Sequence, residues 1–210
     1  VALEQVQVVD TAKGKYLGFE KKVPGVQTID LLREALPRLL GELEFPKGMR
    51  WEKSRFVFVR PIRWILCLLG GEVVTFSVAG IESSNFTFGH RFLANNHKVT
   101  VNHFSDYYPK LKDLSVEINQ EKRRTGIQRD LDAACNRHSS RLLHDEGLLD
   151  QVTHLHESPS VVSGGFEPRF LRLPQEVLVT VMREHQKYFS ILDSADQLIP
   201  KFLAVVDADP

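Results

Sequence analysis

The chain has 210 residues whose 27 basic and 27 acidic side chains cancel, a length that can bury a real core as one large domain or two small ones. With 42% hydrophobic and 26% charged residues the composition is that of an ordinary globular protein, which argues against disorder. The cancelled charge supplies no global field toward nucleic acid or membrane, so any polyanion binding must come from local clusters.

Cys67 and Cys135 lie far apart and outside any CxxC pair, which suggests neither a disulfide framework nor a thiolate zinc site. A reducing, cytoplasmic setting fits best. The longest strongly apolar run, Ile65 to Leu69, falls well short of the roughly 20 residues that a spanning helix needs, so no membrane contact is expected. The start, VALEQVQVVD, has neither the basic opening nor the unbroken apolar stretch of a signal peptide. It also lacks an initiator Met, and Asp207-Ala208-Asp209-Pro210 follows directly on the strand-like Phe202 to Val206. Both ends are therefore expected to be boundaries within a longer chain.

In chain order, Lys15 to Val23 reads as a strand ended by the turn Pro24-Gly25. Thr28 is an expected N-cap with Asp30 in the first turn, followed by Ile29, Leu32, Leu36, Leu39 and Leu40 at helical spacing, and Pro37 should kink or shorten that helix. Arg55 to Val59 alternates as a strand. Pro61 then stands at a first helical position, an apolar body runs to Leu69, and Gly70-Gly71 follows, which predicts a short buried helix. Strands are expected over Glu72 to Val78, Thr87 to Leu93 and Lys98 to Val101. Helices are expected over Ser105 to Leu114, Glu121 to Asn136 and Leu148 to Glu157; in the second, Ile127, Leu131, Ala134 and Cys135 form an apolar stripe. A last helix begins at Pro174, with Val177, Leu178, Val181, Met182 and His185 in register, and strands at Tyr188 to Leu192 and Phe202 to Val206 close the chain. Mixed elements without a regular βαβ rhythm predict an α+β fold, with mixed or antiparallel sheets and packed helices. Residues 1–45 are expected to form an N-terminal segment, strand plus helix, and 46–210 the main α+β module.

Nucleotide-enzyme signatures are absent: there is no GxxxxGK[ST] loop, no GxGxxG turn and no GxSxG elbow, and the pairs Gly70-Gly71 and Gly164-Gly165 read as turns or helix stops. No ATP site is expected in this stretch. His154 and His156, near His138 and His144, would point about 200° apart on a helix, which does not make a metal pair. Asp145-Glu146 has no partner histidine in sequence, so no catalytic residue is assigned. Basic residues interleaved with aromatics carry more, because phosphates take Lys and Arg while unstacked bases take flat apolar faces. One cluster runs Lys47, Arg50, Trp51, Lys53, Arg55, Arg60, Arg63, Trp64; a second is Gly89-His90-Arg91-Phe92; a third is Arg183-Glu184-His185-Gln186-Lys187-Tyr188-Phe189. The plainer alternative puts Trp64, Phe92 and Phe189 in the core and leaves their charged neighbours to solvate the surface. A fourth group, Lys122-Arg123-Arg124 with Arg129, is balanced by Glu117, Glu121, Asp130 and Asp132 and reads as a solvated helix face.

The stretches PKGMRW (Pro46 to Trp51), RFVFVRPIRWILCLLGGEVV (Arg55 to Val74), GHRFL (Gly89 to Leu93) and LPQEVLVTVMREHQKYFSILD (Leu173 to Asp193) resemble, in order, the beta subunit of the two-subunit bacterial glycyl-tRNA synthetase. The resemblance implies a heterotetramer of two alpha and two beta subunits. In it the alpha subunit uses ATP and Mg to make glycyl-adenylate, and the beta subunit supplies tRNA recognition. It also implies an α+β module similar to the editing module of the phenylalanyl-tRNA synthetase beta subunit, with the anticodon-binding domain elsewhere. Implied partners are the alpha subunit, tRNA(Gly) and the remaining beta-subunit domains. Arg91 and Lys187 become the first candidates for phosphate contacts, His90 and His185 for backbone or base-edge contacts, with Arg183, Arg50, Arg60 and Arg63 beside them. Alternatives are a purely structural subunit-interaction module and a hydrolase that edits mischarged aminoacyl-tRNA. Glycine's small size makes the last role the least needed, since a synthetic pocket excludes larger side chains sterically.

Overall fold

The structure is a computed structural model and describes residues 6–19, 21–51, 55–137 and 139–207. Two compact units divide the chain: residues up to Pro61 with Phe76–Gly80, and Ile62–Thr75 with Ile81 onward. In the first unit, β1 (Val6–Thr11) and β2 (Gly14–Phe19) make an antiparallel hairpin with Thr11 opposite Gly14, which takes a φ of 116° at the turn. The strand read from Lys15 thus stops at Phe19. Helix α1 (Thr28–Glu42) starts with Thr28 inside it and Gln27 at the N-cap, and Pro37 sits in its interior without ending it. No residue of α1 is buried. Strands β3 (Met49–Arg50) and β4 (Val57–Phe58) pair antiparallel, with Phe45 edge-on to Phe58 at 4.8 Å. Arg55 has a φ of 61°, outside strand geometry, which trims the run read from that residue.

The second unit corrects the helix expected after Pro61. The chain there is extended, as β5 (Ile65–Leu66), β6 (Leu68–Leu69) and β7 (Glu72–Val73). Leu69 pairs with Glu72 across Gly70 and Gly71, whose φ values of 60° and 93° make the two-residue hairpin turn that suits antiparallel strands. The glycines turn a hairpin instead of stopping a helix; an apolar run this short fits either period. The strand expected over Glu72 to Val78 is interrupted, its second half, β8 (Ser77–Val78), belonging to the first unit. Strand β9 (Ile81–Ser84) lies parallel to β5, and β10 (Phe86–Phe88) pairs antiparallel with β11 (Lys98–Thr100), leaving 89–97 as their connecting loop. The strand expected to reach Leu93 therefore ends at Phe88.

Helices α2 (Phe104–Asp113), α3 (Gln120–Arg137) and α4 (Glu146–Leu155) lie within two residues of their expected bounds. Strand β12 (Arg141–Leu142) separates α3 from α4; beyond α4 come β13 (Ser160–Gly165), a 3-10 turn at Pro168–Arg172, α5 (Gln175–Val181), a π-helical segment at Met182–Gln186, β14 (Tyr188–Leu192) and β15 (Leu198–Val206). The short helix and both strands at the end match the reading, with β15 starting four residues earlier than Phe202; β12 and β13 had no local signal.

Four of these strands form one antiparallel sheet in the order β12-β14-β15-β13. Period-2 alternation splits it into two faces. Phe189 and Ile191 of β14 with Leu203 and Val205 of β15 join Ile127, Leu131, Ala134 and Cys135 of α3 and Leu148, Leu149 and Val152 of α4 in the main core. The stripe read on α3 is thus buried as expected. The opposite face gathers Met182, Leu192 and Leu198 with Leu178, Val179, Tyr188 and Phe202. There Tyr188 stacks flat on Phe202, centroids 4.2 Å apart and planes 2° off parallel, and the Phe202 ring lies over Gly164, where a Cβ would stand 2.3 Å from it. Each fully buried Leu, Ile or Phe contributes on the order of 1.5–3 kcal/mol, so the sheet and its two helices outweigh any surface ion pair in this unit.

Two alanine substitutions should move stability in opposite directions, read by urea unfolding. Gly164→Ala must displace the Phe202 ring and should cost about 1–3 kcal/mol. Gly126→Ala, inside α3 with nothing within 4 Å of the new Cβ, should stabilise by about 0.5–1 kcal/mol.

Candidate nucleic-acid interface

The loop 89–97 is built around its own histidine. Gly89 donates to the His97 carbonyl at 2.9 Å and closes the loop base beside the last β10–β11 pair. A side chain at Gly89 would meet the Leu114 Cβ at 2.5 Å, so only glycine lets this backbone approach the end of α2. His90 donates its amide to the Leu114 carbonyl at 2.9 Å and accepts at its own carbonyl from Ala94 and Asn96. Asn95 and Asn96 take φ values of 49° and 52°, the left-handed geometry asparagine tolerates best among ordinary residues. The imidazole is buried, and its Nδ1 accepts from the amides of Leu93 at 3.1 Å and Phe92 at 3.4 Å. Because Nδ1 accepts, the neutral ring carries its proton on Nε2, which faces Asp207 Oδ2 at 3.7 Å. That same carboxylate oxygen lies 3.5 Å from His156 Nδ1, and the Asp207 carboxylate accepts the amides of Glu157 and Ser158 at 3.2 and 3.0 Å.

What this scaffold presents is Arg91 and Phe92. Arg91 is exposed, and Phe92 is 72% exposed, with the guanidinium carbon 5.6 Å from the ring centroid. Arg91 has no ion pair among the described residues. Phe92 is therefore not a core residue, whereas Phe189 is buried and Trp64 is half-buried, its Nε1 donating to Thr87 Oγ1 at 3.2 Å. His90, expected to face a base edge or backbone, spends its imidazole inside the loop.

The third cluster is more internally occupied. Arg183 Nε binds Asp145 at 2.5 Å and its Nη1 contacts Glu184, while Lys187 Nζ lies 3.9 Å from Glu184. Lys187 takes a left-handed conformation, φ 58°, as its amide bonds the Met182 carbonyl and closes the widened last turn. His185 is exposed and Tyr188 is engaged with Phe202. Asp145 caps α4 by accepting from Leu148 at 2.9 Å, so its bond to Arg183 ties that helix to the π-helical segment. Beneath them lies a cavity of about 240 Å³ lined by Leu143, Asp145, Leu148, Arg183, Tyr188 and Ser190 among others.

The first cluster is divided between the units. Arg50 ends β3 and Arg60 follows β4 in the first, both exposed, and Arg63 is exposed in the second. Lys53 and His138 lie outside the described residues. The α3 cations form more than a solvated face: Arg124 reaches across to α4, pairing with Asp150 at 2.7 Å and with Glu146, and Arg123 donates to the Thr153 and Glu117 carbonyls, while Arg129 pairs with the expected Asp130 at 2.9 Å. His154 is exposed near the end of α4, and no grouping of three metal-ligating side chains occurs among the described residues.

Sheet register brings two of the motifs to one end of the second unit. Strand β14 begins at Tyr188 opposite Ala204, β13 begins at Ser160 opposite Val206, and Asp207 follows β15 directly. Lys187, level with Val205, and the Asp207 anchor of His90 thus flank the same sheet end, about 7 Å apart along β15. Nothing local in the sequence announces Asp207 as the shared partner of His90 and His156, because the three residues stand far apart along the chain.

Taken together, the chain is an α+β module whose built feature is an internally hydrogen-bonded loop offering a cation and an aromatic face. Its full length, residues 1–210, matches the profile of the glycyl-tRNA synthetase beta subunit. It is 42% identical over 205 residues to the glycine–tRNA ligase beta subunit of Geobacter sulfurreducens, covering 98% of this chain and 30% of that one. It is 44% identical over 200 residues to that of Geotalea uraniireducens, 95% and 29% covered, and 40% identical over 212 residues to that of Acidobacterium capsulatum, 100% and 30% covered. The chain belongs to the glycyl-tRNA synthetase beta subunit family, and spans about 30% of the length of these relatives. No described helix is long and apolar enough to cross a membrane.

Burial acts to raise the Asp145 carboxyl, and the Arg183 and Leu148 donors outweigh it, leaving the group below the ordinary aspartate value. Its stabilisation is therefore complete above that ordinary value, near pH 4, and is lost as pH falls through the lower folded one. Arg183 is 37% exposed, which limits the pair to about 0.5–1 kcal/mol. A double-mutant cycle of Asp145→Asn and Arg183→Gln at pH 7 should return a coupling of that size, and thermal melts at successively lower pH should show the coupling shrink once the pH falls below the ordinary aspartate value.

Proposed function

We propose that this chain serves glycyl-tRNA synthesis as a tRNA-contacting and subunit-scaffolding module of a glycine–tRNA ligase in the cytoplasm. Adenylate formation from glycine, ATP and Mg belongs to an alpha subunit, and this segment itself performs no bond-making step. Its partners are that alpha subunit, tRNA(Gly) and the remaining beta-subunit domains. The observation that carries the reading is Arg91: exposed, without an acidic partner among the described residues, and held on a loop fixed by a buried histidine. Arg183 and Lys187 are engaged with Asp145 and Glu184, so they rank behind Arg91, and Lys187 can reach phosphate only by giving up a 3.9 Å pair. Arg50, Arg60, Arg63 and His185 are exposed and add to whichever surface the nucleic acid covers.

A cation that neutralises one phosphate releases the counterions condensed there, so its removal flattens the salt response by about one unit of log K against log salt. Arg91→Ala in the full-length protein assembled with its alpha partner should weaken tRNA binding by that signature, measured by fluorescence anisotropy from 50 to 300 mM salt. An unchanged slope and affinity would leave the module a purely architectural one.

A further inference from the structure

The cation explains attraction to phosphate, but not why the residue beside it is aromatic and left in water. Phe92 is 72% exposed although both flanks of its loop are fixed: Gly89 and His97 pair at the base, and the Phe92 and Leu93 amides bind the His90 ring. The loop has not frayed outward. Its inward-facing residue is the histidine, and the phenyl group is held where the core cannot reach it. An exposed ring on a hydrogen-bonded backbone, with a guanidinium carbon 5.6 Å from its centroid, offers a flat apolar face and one cation placed for an adjacent negative charge.

We propose that Phe92 is a stacking platform for an unpaired nucleotide of the bound RNA, with Arg91 taking the neighbouring phosphate and the His90–Asp207–His156 cluster holding the platform in place. The inference rests on the tRNA-contacting reading above and sharpens it to single-stranded nucleotide chemistry. Every base has a flat face, so a phenyl ring takes an unpaired base of any sequence, whereas a base within a duplex stem has both faces covered. The same exposed ring could instead anchor a protein surface. The adjoining arginine, without an acidic partner among the described residues, favours RNA, because a phosphate lies within one nucleotide of every base.

The test uses the full-length protein assembled with its alpha partner. Phe92→Leu keeps an apolar side chain at an exposed position, so its thermal midpoint should match the parent's, and tRNA affinity should fall about tenfold. Phe92→Tyr should retain parental affinity. Ultraviolet crosslinking of wild type to tRNA should join Phe92 to a nucleotide in a single-stranded region. If Phe92→Leu binds tRNA as the parent does while Arg91→Ala does not, the stacking role falls and the phosphate-contacting role stands. If neither substitution changes binding, the tRNA-contacting reading falls with it. A crosslink mapped to a paired stem, or a Phe92→Leu protein that loses the alpha subunit in sedimentation while keeping its tRNA affinity, would also overturn the stacking role.

Discussion

The second unit depends on one strand being buried from both sides. Strand β15 pairs with β14 on one edge and β13 on the other, places Leu203 and Val205 against α3 and α4, and places Phe202 against Tyr188 and Gly164. With side chains alternating at period 2, a slip of one residue would exchange the two faces and bury Phe202 where Leu203 fits. Register on this strand therefore fixes more than packing. It sets where Asp207 emerges, and Asp207 is what the loop histidine faces.

That link carries the argument from core to surface. His90 cannot serve both the interior and a ligand, since its ring nitrogens face two backbone amides and a carboxylate. What it gains by burial is control of its neighbours: Arg91 and Phe92 stand on a base tied to α2, to the turn before β13 and to the end of β15. Fixing the backbone beneath two exposed side chains in this way lowers the ordering cost that the proposed contact with RNA would otherwise carry. By contrast, the cations of α3 and Arg183 are consumed within the unit, tying α4 to its neighbours at modest energetic return.

The first unit differs in kind. Its longest helix buries no residue, and Leu31 and Leu39 on it are 58% and 56% exposed. Isolated helices of this length are marginal in water without a packed face. Relatives of this chain are more than three times as long, the matched region being about 30% of each.

The sequence by itself determined the family, through four ordered motifs, and the elements whose periodicity is long enough to be unambiguous: α2, α3, α4 and the strand pair at the end. The stripe Ile127, Leu131, Ala134 and Cys135 is legible because four residues at helical spacing admit one face. It could not determine Ile65 to Leu69, too short for either period to exclude the other, where a glycine pair proved a hairpin turn instead of a helix stop. Nor could it tell Phe92 from Phe189, two phenylalanines in equally basic surroundings, one outside and one in the core. That choice belongs to contacts between residues distant in sequence, His90 with Asp207 and Phe189 with α3 and α4, which exist only once the sheet has closed.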